Sequence, residues 1–462
     1  MISEEYLLSC RRPAGAIRRS VPLHRVSVIA AVRVSARIPV QGVFAMVAQD
    51  RSMRRSGRRA DEPSMTAKSA VLLVDSAGDH PVHAGRRSGL LLVLAAIAGL
   101  CLANVLPAGR VTDFWDQPWR LASSWQLPSL ANLFDEGLMA LFFLAAGLEI
   151  KLELCCGSLR GFRRAALPVA AACGGVLVPA LIYLACNAGL PQVSGWAVPT
   201  ATDIAFATGM LGLLPQSLGR SLRPLLLALA MIDDVIAVLV VMLFYTQALA
   251  SAGAIWLLAA AILYLLLRCR EQAATTGLLG VGLLIWIGLW QCGLHPALAG
   301  MVLGLLWPAG RTRPWHGARR LKAALDPWVA YVVMPGFALI HASIDLHGLV
   351  LTSTAALRLG AGVVAGLVLG KPIGIVLAAW AAIRFGLARW PAGISWPQLA
   401  LVGMLAGIGL TMSMFITTLA LTDIHAQRLA RCAVLLGSLL STLLALGFGG
   451  WLSRHASPLE PG

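Results

Sequence analysis

Charged side chains are scarce in this sequence, and their scarcity excludes an ordinary soluble protein. Asp, Glu, Lys and Arg make up only 13% of the 462 residues, whereas a soluble domain carries about 25%. Hydrophobic residues make up 58% and the mean hydropathy is +0.77, which is typical of a chain built for lipid. The net charge of +16 does not indicate a nucleic-acid partner, because excess Lys and Arg in a membrane protein report topology and contact with anionic lipid.

The cysteines lack the spacing of metal ligands. Nine of them are scattered along the chain, and the adjacent pair Cys155 and Cys156 does not form a zinc knuckle. We interpret them as small apolar residues of helices, and we predict no cofactor.

The first 85 residues lack a continuous apolar run. Arg25, Arg33 and Arg37 interrupt the longest stretches, so none of them can span a bilayer, and no apolar core leads to a signal-peptide cleavage site. We predict a basic, disordered extension over residues 1–85, with Met53 or Met65 as an alternative start. A transmembrane domain would occupy residues 86–455, followed by a short cytoplasmic tail over residues 456–462.

Long apolar stretches follow one another closely from Ser88 onward. At about 20 residues per membrane span, they predict an all-α polytopic membrane protein of about twelve transmembrane helices. The predicted spans are 88–107, 128–148, 164–187, 198–214, 222–247, 252–268, 275–292, 294–308, 328–343, 356–383, 396–420 and 430–452.

The distribution of basic residues predicts the orientation of these spans. The loops after spans 3, 5, 7 and 9 carry no Lys or Arg, whereas the alternate loops carry most of them. Because cytoplasmic loops are enriched in Lys and Arg, we predict that both termini are cytoplasmic. Arg358, Arg428 and Arg431 are exceptions to the pattern.

Two adjacent carboxylates, Asp233 and Asp234, lie inside an apolar stretch. Each costs roughly 2.5–3.5 kcal/mol at the bilayer centre, which indicates an ion or proton path. Adjacent helix residues point about 100° apart, so one acid can bind a cation while the other pairs with Lys371. Carboxylate oxygens suit a hard cation such as Na⁺ or Li⁺, and a site that binds either Na⁺ or H⁺ performs exchange.

Two predicted spans contain polar or glycine-rich sequence at mid-span, over Trp196–Gly209 and Gly403–Ser413. Non-helical backbone at this depth must be buried in protein or line a cavity. Matched interruptions are typical of transporters built from inverted repeats, which here would be spans 3–5 and 10–12. Two flexible helices with glycine packing faces are the alternative. Asp203, within the first interruption, favours an ion site.

Six segments together resemble the NhaA family of Na⁺/H⁺ antiporters, in order and with few gaps over about residues 88–452. They are Asp135–Glu149 (DEGLMALFFLAAGLE), Ala201–Gly209 (ATDIAFATG), Ala230–Ala237 (AMIDDVIA), Gly293–Gly300 (GLHPALAG), Gly370–Gly374 (GKPIG) and Gly407–Ser413 (GIGLTMS). The resemblance implies electrogenic exchange of Na⁺ or Li⁺ for H⁺ across the bacterial inner membrane, which serves pH and sodium homeostasis.

The resemblance also implies roles for individual residues. Spans 4 and 11 would be unwound and would cross, with Asp203 compensating the positive helix ends and Lys371 the negative ones. Asp234 would be the principal Na⁺ ligand, with Thr202 contributing and Asp233 paired to Lys371 when Na⁺ is absent. Glu149, Glu153 and His295 would be candidates for pH sensing. A β-hairpin within residues 111–127 would mediate a homodimer.

The chain departs from the family pattern at three positions. Leu152 follows Lys151 where the family usually has Arg, which affects the expected pH response. His341 lies in Leu339–Ser343 (LIHAS), where the family has Phe-Ala-Asn-Ala-Gly, and is either a new titrating group or a satisfied polar residue. Glu136 replaces an Asp and keeps the charge.

Three other functions are compatible with acids at membrane depth. An intramembrane aspartyl protease would need Gly-x-Gly-Asp, which neither acidic segment has, and it leaves Lys371 unexplained. A Na⁺-coupled symporter would need a pocket for an organic substrate. An inactive or regulatory relative is disfavoured by the complete set of Asp203, Asp233, Asp234 and Lys371.

Overall fold

The structure is a computed structural model of the chain. It describes residues 87–107, 109–122, 125–156, 162–246, 250–268, 275–308, 315–347, 353–390 and 393–455. The predicted extension and cytoplasmic tail lie outside the described residues and stay predictions.

The described part of the chain is almost wholly helical, as predicted. Its first half comprises α1 Arg87–Val105, α2 Arg110–Asp116, α3 Leu130–Asn132, a π-helical turn Leu133–Leu138, α4 Met139–Cys156, α5 Phe162–Asn187, a 3₁₀ helix Pro191–Thr200, α6 Ile204–Leu211 and α7 Gln216–Phe244.

The second half continues in the same manner. It comprises a 3₁₀ turn Ser251–Gly253, α8 Ala254–Arg268, α9 Thr275–Cys292, α10 Leu298–Leu306, α11 His316–Trp328, a π turn Val329–Val333, α12 Met334–His341, α13 Thr354–Ala365, a π turn Gly366–Gly370, α14 Lys371–Arg384, α15 Trp396–Ala406, α16 Leu410–Ala420 and α17 Ile424–His455.

Local sequence explains several helix boundaries. Ser129 and Ser353 accept hydrogen bonds from backbone N–H groups at the starts of α3 and α13, and Ser395 forms a capping box with Gln398 before α15. Such side chains satisfy N–H groups that have no partner within the helix. Gly189 has a φ of 76° just after α5, a conformation that glycine adopts without steric cost.

Seven helical segments of the described residues are long and apolar enough to cross a membrane, and an eighth is added if α15 and α16 count as one bent span. Their hydropathies lie between 1.5 and 2.6. The protein is therefore a multi-pass membrane protein, as predicted. The total of twelve spans stays a prediction, since several of the predicted spans are shorter or broken.

One departure from an all-α fold lies between α2 and α3. Strands β1 Trp119–Ala122 and β2 Trp125–Leu127 pair antiparallel, with Trp119 opposite Leu127. This is a hairpin in the segment where the family resemblance implied one. Its role in a dimer stays a prediction.

Helices α5 and α14 pack with almost no space between their backbones. Gly174 and Gly374 face each other, and a Cβ on either residue would collide with the backbone carbonyl group of the other. A Cβ at Gly370 would lie 2.9 Å from Cα of Pro179. Close backbone approach through small residues is the usual basis of helix association in membranes. This contact positions Lys371, the first residue of α14.

Arg358, an exception to the charge pattern that lies in the second turn of α13, has local partners. Arg358 donates from Nε to the carbonyl oxygen of Cys186 at 2.5 Å and from Nη2 to that of Ala188 at 3.0 Å. These carbonyls lie at the carboxyl end of α5, where a cation is favourable and the last carbonyls need donors. Arg358 therefore serves as a helix cap, which explains its position without reference to topology.

Candidate ion-binding site

Two helix breaks meet at the centre of the described bundle. Residues Ala201–Asp203 are non-helical between the 3₁₀ helix and α6, and Gly407–Gly409 separate α15 from α16, which bend by 50°. The backbone N–H of Asp203 donates to the carbonyl oxygen of Ile408 at 2.7 Å. Both interruptions that the sequence predicts are therefore present, and they are in direct contact.

Asp203 connects the two breaks through its side chain. Its Oδ1 accepts from the backbone N–H of Phe206 at 2.9 Å, which caps the start of α6. Its Oδ2 accepts from the Thr411 backbone N–H at 3.2 Å and from the Thr411 hydroxyl at 2.6 Å, at the start of α16. One carboxylate thus lies at the amino ends of two half-helices, where the helix dipoles favour a negative charge.

Lys371 follows a π turn, a local feature that often marks functional sites. Its Nζ donates to Asp233 Oδ2 at 2.6 Å and to the Thr202 hydroxyl oxygen at 2.8 Å. The Thr202 hydroxyl in turn donates to the carbonyl oxygen of Ala406 at 2.9 Å. Lys371 therefore joins α7 to both helix breaks.

The two adjacent acids of α7 have different surroundings. Asp233 contacts Lys371, whereas Oδ2 of Asp234 and Oδ1 of Asp233 are buried without a hydrogen-bond partner among the described residues. Both acids are 1% exposed, and Thr202, Asp203 and Lys371 are 0% exposed. A buried carboxylate oxygen without a donor is costly, so this arrangement favours binding of a cation or a proton.

Comparison with known proteins agrees with this geometry. The profile of the Na⁺/H⁺ antiporter 1 family matches residues 80–448. The chain is 45% identical over 393 residues to the Na⁺/H⁺ antiporter NhaA of Acidovorax sp. strain JS42, with 81% of this chain and 92% of the relative covered. The chain belongs to this family.

Two further relatives are similar over most of their length. The NhaA antiporter of Cupriavidus necator is 40% identical over 430 residues, covering 83% of this chain and 92% of the relative. That of Escherichia coli K12 is 40% identical over 377 residues, covering 80% of this chain and 96% of the relative. These matches confirm the NhaA resemblance that the sequence motifs predict.

The first pH-sensing candidate, Glu149, interacts electrostatically with Asp234 of the acid pair. Glu149 lies 3.7 Å from Lys322 Nζ, which also pairs with Asp326 at 2.8 Å, and these groups are partly exposed. Glu153 follows one turn later on α4. His295 packs edge-on against Phe415, with ring centroids 4.9 Å apart.

Sequence reasoning missed two contributors to this centre. Thr411 was included only within a motif, yet it supplies two donors to Asp203. The carbonyl oxygens of Ala406 and Ile408 accept hydrogen bonds from Thr202 and Asp203, respectively. The glycines on either side of Ile408 were the only sequence signal that carbonyl groups there would lie outside a regular helix. Among the described residues, no group of three or more His, Cys, Asp or Glu has the arrangement of a metal site.

Proposed function

We propose that this protein is an electrogenic antiporter that extrudes Na⁺ or Li⁺ from a bacterial cell in exchange for H⁺ by alternating access. The observation that carries the proposal is the buried acid pair. Asp233 Oδ2 lies 2.6 Å from Lys371 Nζ, while Oδ2 of Asp234 is buried and has no hydrogen-bond partner among the described residues. The relatives' printed name, Na⁺/H⁺ antiporter, supports the same activity.

The chemistry of exchange follows from the mismatch between charges and partners. The buried cluster contains two carboxylates, Asp233 and Asp234, but only one ammonium group, that of Lys371, which contacts Asp233. One negative charge therefore has no matching positive charge. A buried charge without a partner is strongly unfavourable. Either a cation or a proton removes the excess charge, and the two compete for the same oxygen atoms.

We assign Asp234 as the principal Na⁺ ligand. Oδ1 of Asp233, which has no hydrogen-bond partner among the described residues, and the hydroxyl oxygen of Thr202, which accepts from Lys371, would be additional oxygen ligands. Oxygen donors of this kind suit hard cations. When Na⁺ binds, its positive charge substitutes for that of Lys371 beside Asp233, so the lysine is released from the pair.

The contacts at the two breaks support a crossing of spans 4 and 11. A backbone hydrogen bond from Asp203 to Ile408 joins the two interruptions, and so do the two hydrogen bonds that Thr411 donates to the Asp203 carboxylate. We assign Asp203 to the positive helix ends and Lys371 to the negative ones. Inverted repeats with broken helices are a known architecture of secondary transporters, this family included.

Twelve membrane crossings are supported by the grouping of the helices. Apart from α2, the described helices form twelve successive groups, each overlapping one predicted span, and the groups around residues 198–214 and 396–420 contain the breaks. We propose inverted repeats over spans 3–5 and 10–12. Both termini would be cytoplasmic in the bacterial inner membrane, as the basic loops indicate.

We propose that Glu149, Glu153 and His295 adjust activity to pH, and that a homodimer forms through the hairpin. The partly exposed Glu149–Lys322 pair supports the first part, because solvent-accessible acids respond to bulk pH. The β1–β2 hairpin supports the second, because an isolated two-stranded hairpin is marginally stable alone.

The test is Na⁺-induced proton movement in everted vesicles from an antiporter-deficient host, followed with a pH dye from pH 6 to 9. We expect wild type and Asp113→Asn, an exposed-site control, to move protons and Asp234→Asn to lose the movement. Well-expressed wild-type protein without movement at any pH would contradict the proposal. Substrate uptake that requires Na⁺ would instead favour a symporter.

A further inference from the structure

A second pair of titratable side chains in close contact lies on other elements than the acid pair and has no part in the proposed exchange step. His341 Nε2 lies 2.6 Å from Asp135 Oδ1, and the two residues are 206 positions apart in sequence. The His341 side chain is 3% exposed and that of Asp135 is 18% exposed. The His341 side chain is thus shielded from solvent, whereas the Asp135 side chain is partly accessible. Protons can therefore reach the pair from one side of the protein.

The hydrogen-bond geometry identifies the atom that takes the proton. An ionised carboxylate only accepts hydrogen bonds, so Nε2 of His341 carries a hydrogen toward Asp135. Nδ1 of His341 is buried and has no partner among the described residues. One proton can therefore bind at Nδ1, which converts the hydrogen bond between a neutral imidazole and an ionised carboxylate to an ion pair. The added attraction between opposite charges strengthens the contact, because charges interact more strongly where water is partly excluded.

Charged groups on several elements face this pair. Asp116 on α2 and Arg431 on α17 interact with Asp135, and His341 interacts with Asp116. Burial raises the pKa of Asp116, while Arg431 and His341 act in the opposite direction. The remaining groups are Glu136 in the same π turn, His295, and Arg428 beside Arg431. Helix α16 and the part of α1 after Arg87 contribute no charged side chain.

The pair joins two elements that pack around the ion site. Asp135 lies in the π turn before α4, and His341 ends α12. The His341 ring packs against the Phe337 ring with centroids 4.0 Å apart, and the Phe337 ring packs edge-on against the Phe415 ring with centroids 6.5 Å apart. Phe415 lies one turn after Thr411 on α16, which holds Asp203. A continuous series of packed rings thus leads from the pair to the helix break.

The pair lies on the outward side under the topology proposed above. Asp135 precedes Glu149 by 14 positions on one continuous helical segment, which corresponds to about 21 Å at 1.5 Å per residue. Glu149 lies toward the basic cytoplasmic loop, so Asp135 lies toward the opposite face. A pH response at this pair would therefore follow the external pH rather than the cytoplasmic pH.

We infer that Asp135 and His341 form a second proton-binding site, which restrains the outward side of the transporter when it is protonated. Protonation strengthens the connection between the π turn and α12, and through Phe337 and Phe415 it restrains α16. Loss of the proton weakens the connection and releases this restraint. The inference rests on the proposed antiport function, because its readout is transport.

The experiment uses right-side-out vesicles loaded with ²²Na⁺, with internal pH fixed and external pH varied from 6 to 9. The initial efflux of each variant is divided by that of wild type at the same pH, which cancels the common driving force. His341→Asn introduces the residue of the family segment, and Asp135→Asn removes the other partner. His347→Gln is the matched control, because it alters an exposed His–Asp pair at 3.1 Å.

We expect both single variants to exceed wild type by several-fold at acidic external pH and to equal it at alkaline pH. The double variant should match the single ones, because each removes the same interaction. The His347→Gln ratio should stay at one throughout. A ratio for His341→Asn that is constant with external pH, or that falls at acidic pH, would overturn the inference. Absence of Na⁺ efflux in wild type would instead count against the proposed function.

If His341→Asn does not accumulate in the membrane, the Asp135→Asn variant decides by the same ratio. If neither accumulates, His341→Gln decides by the same ratio, because glutamine keeps a polar side chain at this position but cannot take up the proton. A ratio that rises toward acidic external pH supports the outward site, and a ratio that stays flat overturns it.

Discussion

The buried acid–lysine cluster and the Glu149–Lys322–Asp326 cluster use the same residue types in opposite environments. Lys371 and Asp233 lie 2.6 Å apart with side chains 1% exposed, whereas Lys322 and Glu149 lie 3.7 Å apart with side chains 22% and 34% exposed. Breaking a buried pair costs about 3–5 kcal/mol, but an exposed pair contributes about 0–1 kcal/mol. The buried cluster must therefore keep its charges matched, while water can accommodate changes in the other.

The largest effect should come from Lys371→Met. This change leaves Asp233 buried without a cation, and we expect destabilisation of about 3–5 kcal/mol, seen as a large fall of Tm in detergent, together with loss of transport. Adding Asp233→Leu removes the unmatched charge. The double variant should recover most of the thermal stability without recovering transport, and a double variant no more stable than Lys371→Met would contradict the pairing.

Asp203→Ala should follow in size. It removes the acceptor of three hydrogen bonds, from the backbone of Phe206 and from the backbone and hydroxyl of Thr411. Because buried donors without partners cost about 1–3 kcal/mol each, we expect a loss of at least ~2 kcal/mol in thermal unfolding. Ser353→Ala, at an exposed cap of α13, should cost at most about 1 kcal/mol. Equal losses would contradict a special role of Asp203.

Gly409→Ala tests whether the second break depends on close packing. A Cβ at Gly409 would lie 2.8 Å from the carbonyl oxygen of Ala201 and would collide with Ser413 Oγ. We expect the two breaks to separate and the initial transport rate to fall at least several-fold. Gly360→Ala adds the same methyl group to α13, where no atom lies within 4 Å. Its transport should be unchanged, and a similar loss there would argue against a steric effect at the break.

The smallest effect should come from Lys322→Met in the exposed cluster. We expect a stability change within about 1 kcal/mol and full transport at the optimum. If Glu149 adjusts activity to pH, the midpoint of the activity profile should move toward alkaline pH, because loss of a nearby cation favours the protonated form of a carboxyl group. A midpoint that stays constant would exclude this cluster from pH control.

Much of the fold and of the candidate site was predictable from local sequence. The length of the apolar stretches predicted the helices. The polar residues of Trp196–Gly209 and the glycines of Gly403–Ser413 predicted the two helix breaks, which the structure contains. The contact between Asp203 and Thr411 was not predictable, because the residues are 208 positions apart. The Asp135–His341 pair was missed for the same reason; the unusual His341 was its only sequence signal.

The sequence alone determined that this is a membrane protein, that it carries acids within its apolar segments, and that it belongs to this antiporter family. These properties depend on composition and on motifs that act locally, so no knowledge of distant contacts is needed. The residues alone left open whether Asp233 or Asp234 faces Lys371, since adjacent residues of a helix point about 100° apart. The family resemblance implied Asp233, and the structure places Asp233 Oδ2 2.6 Å from Lys371 Nζ. Only the tertiary structure sets the rotation of α7 that makes this contact, because that rotation depends on packing against α5 and α15, which are distant from α7 in the chain.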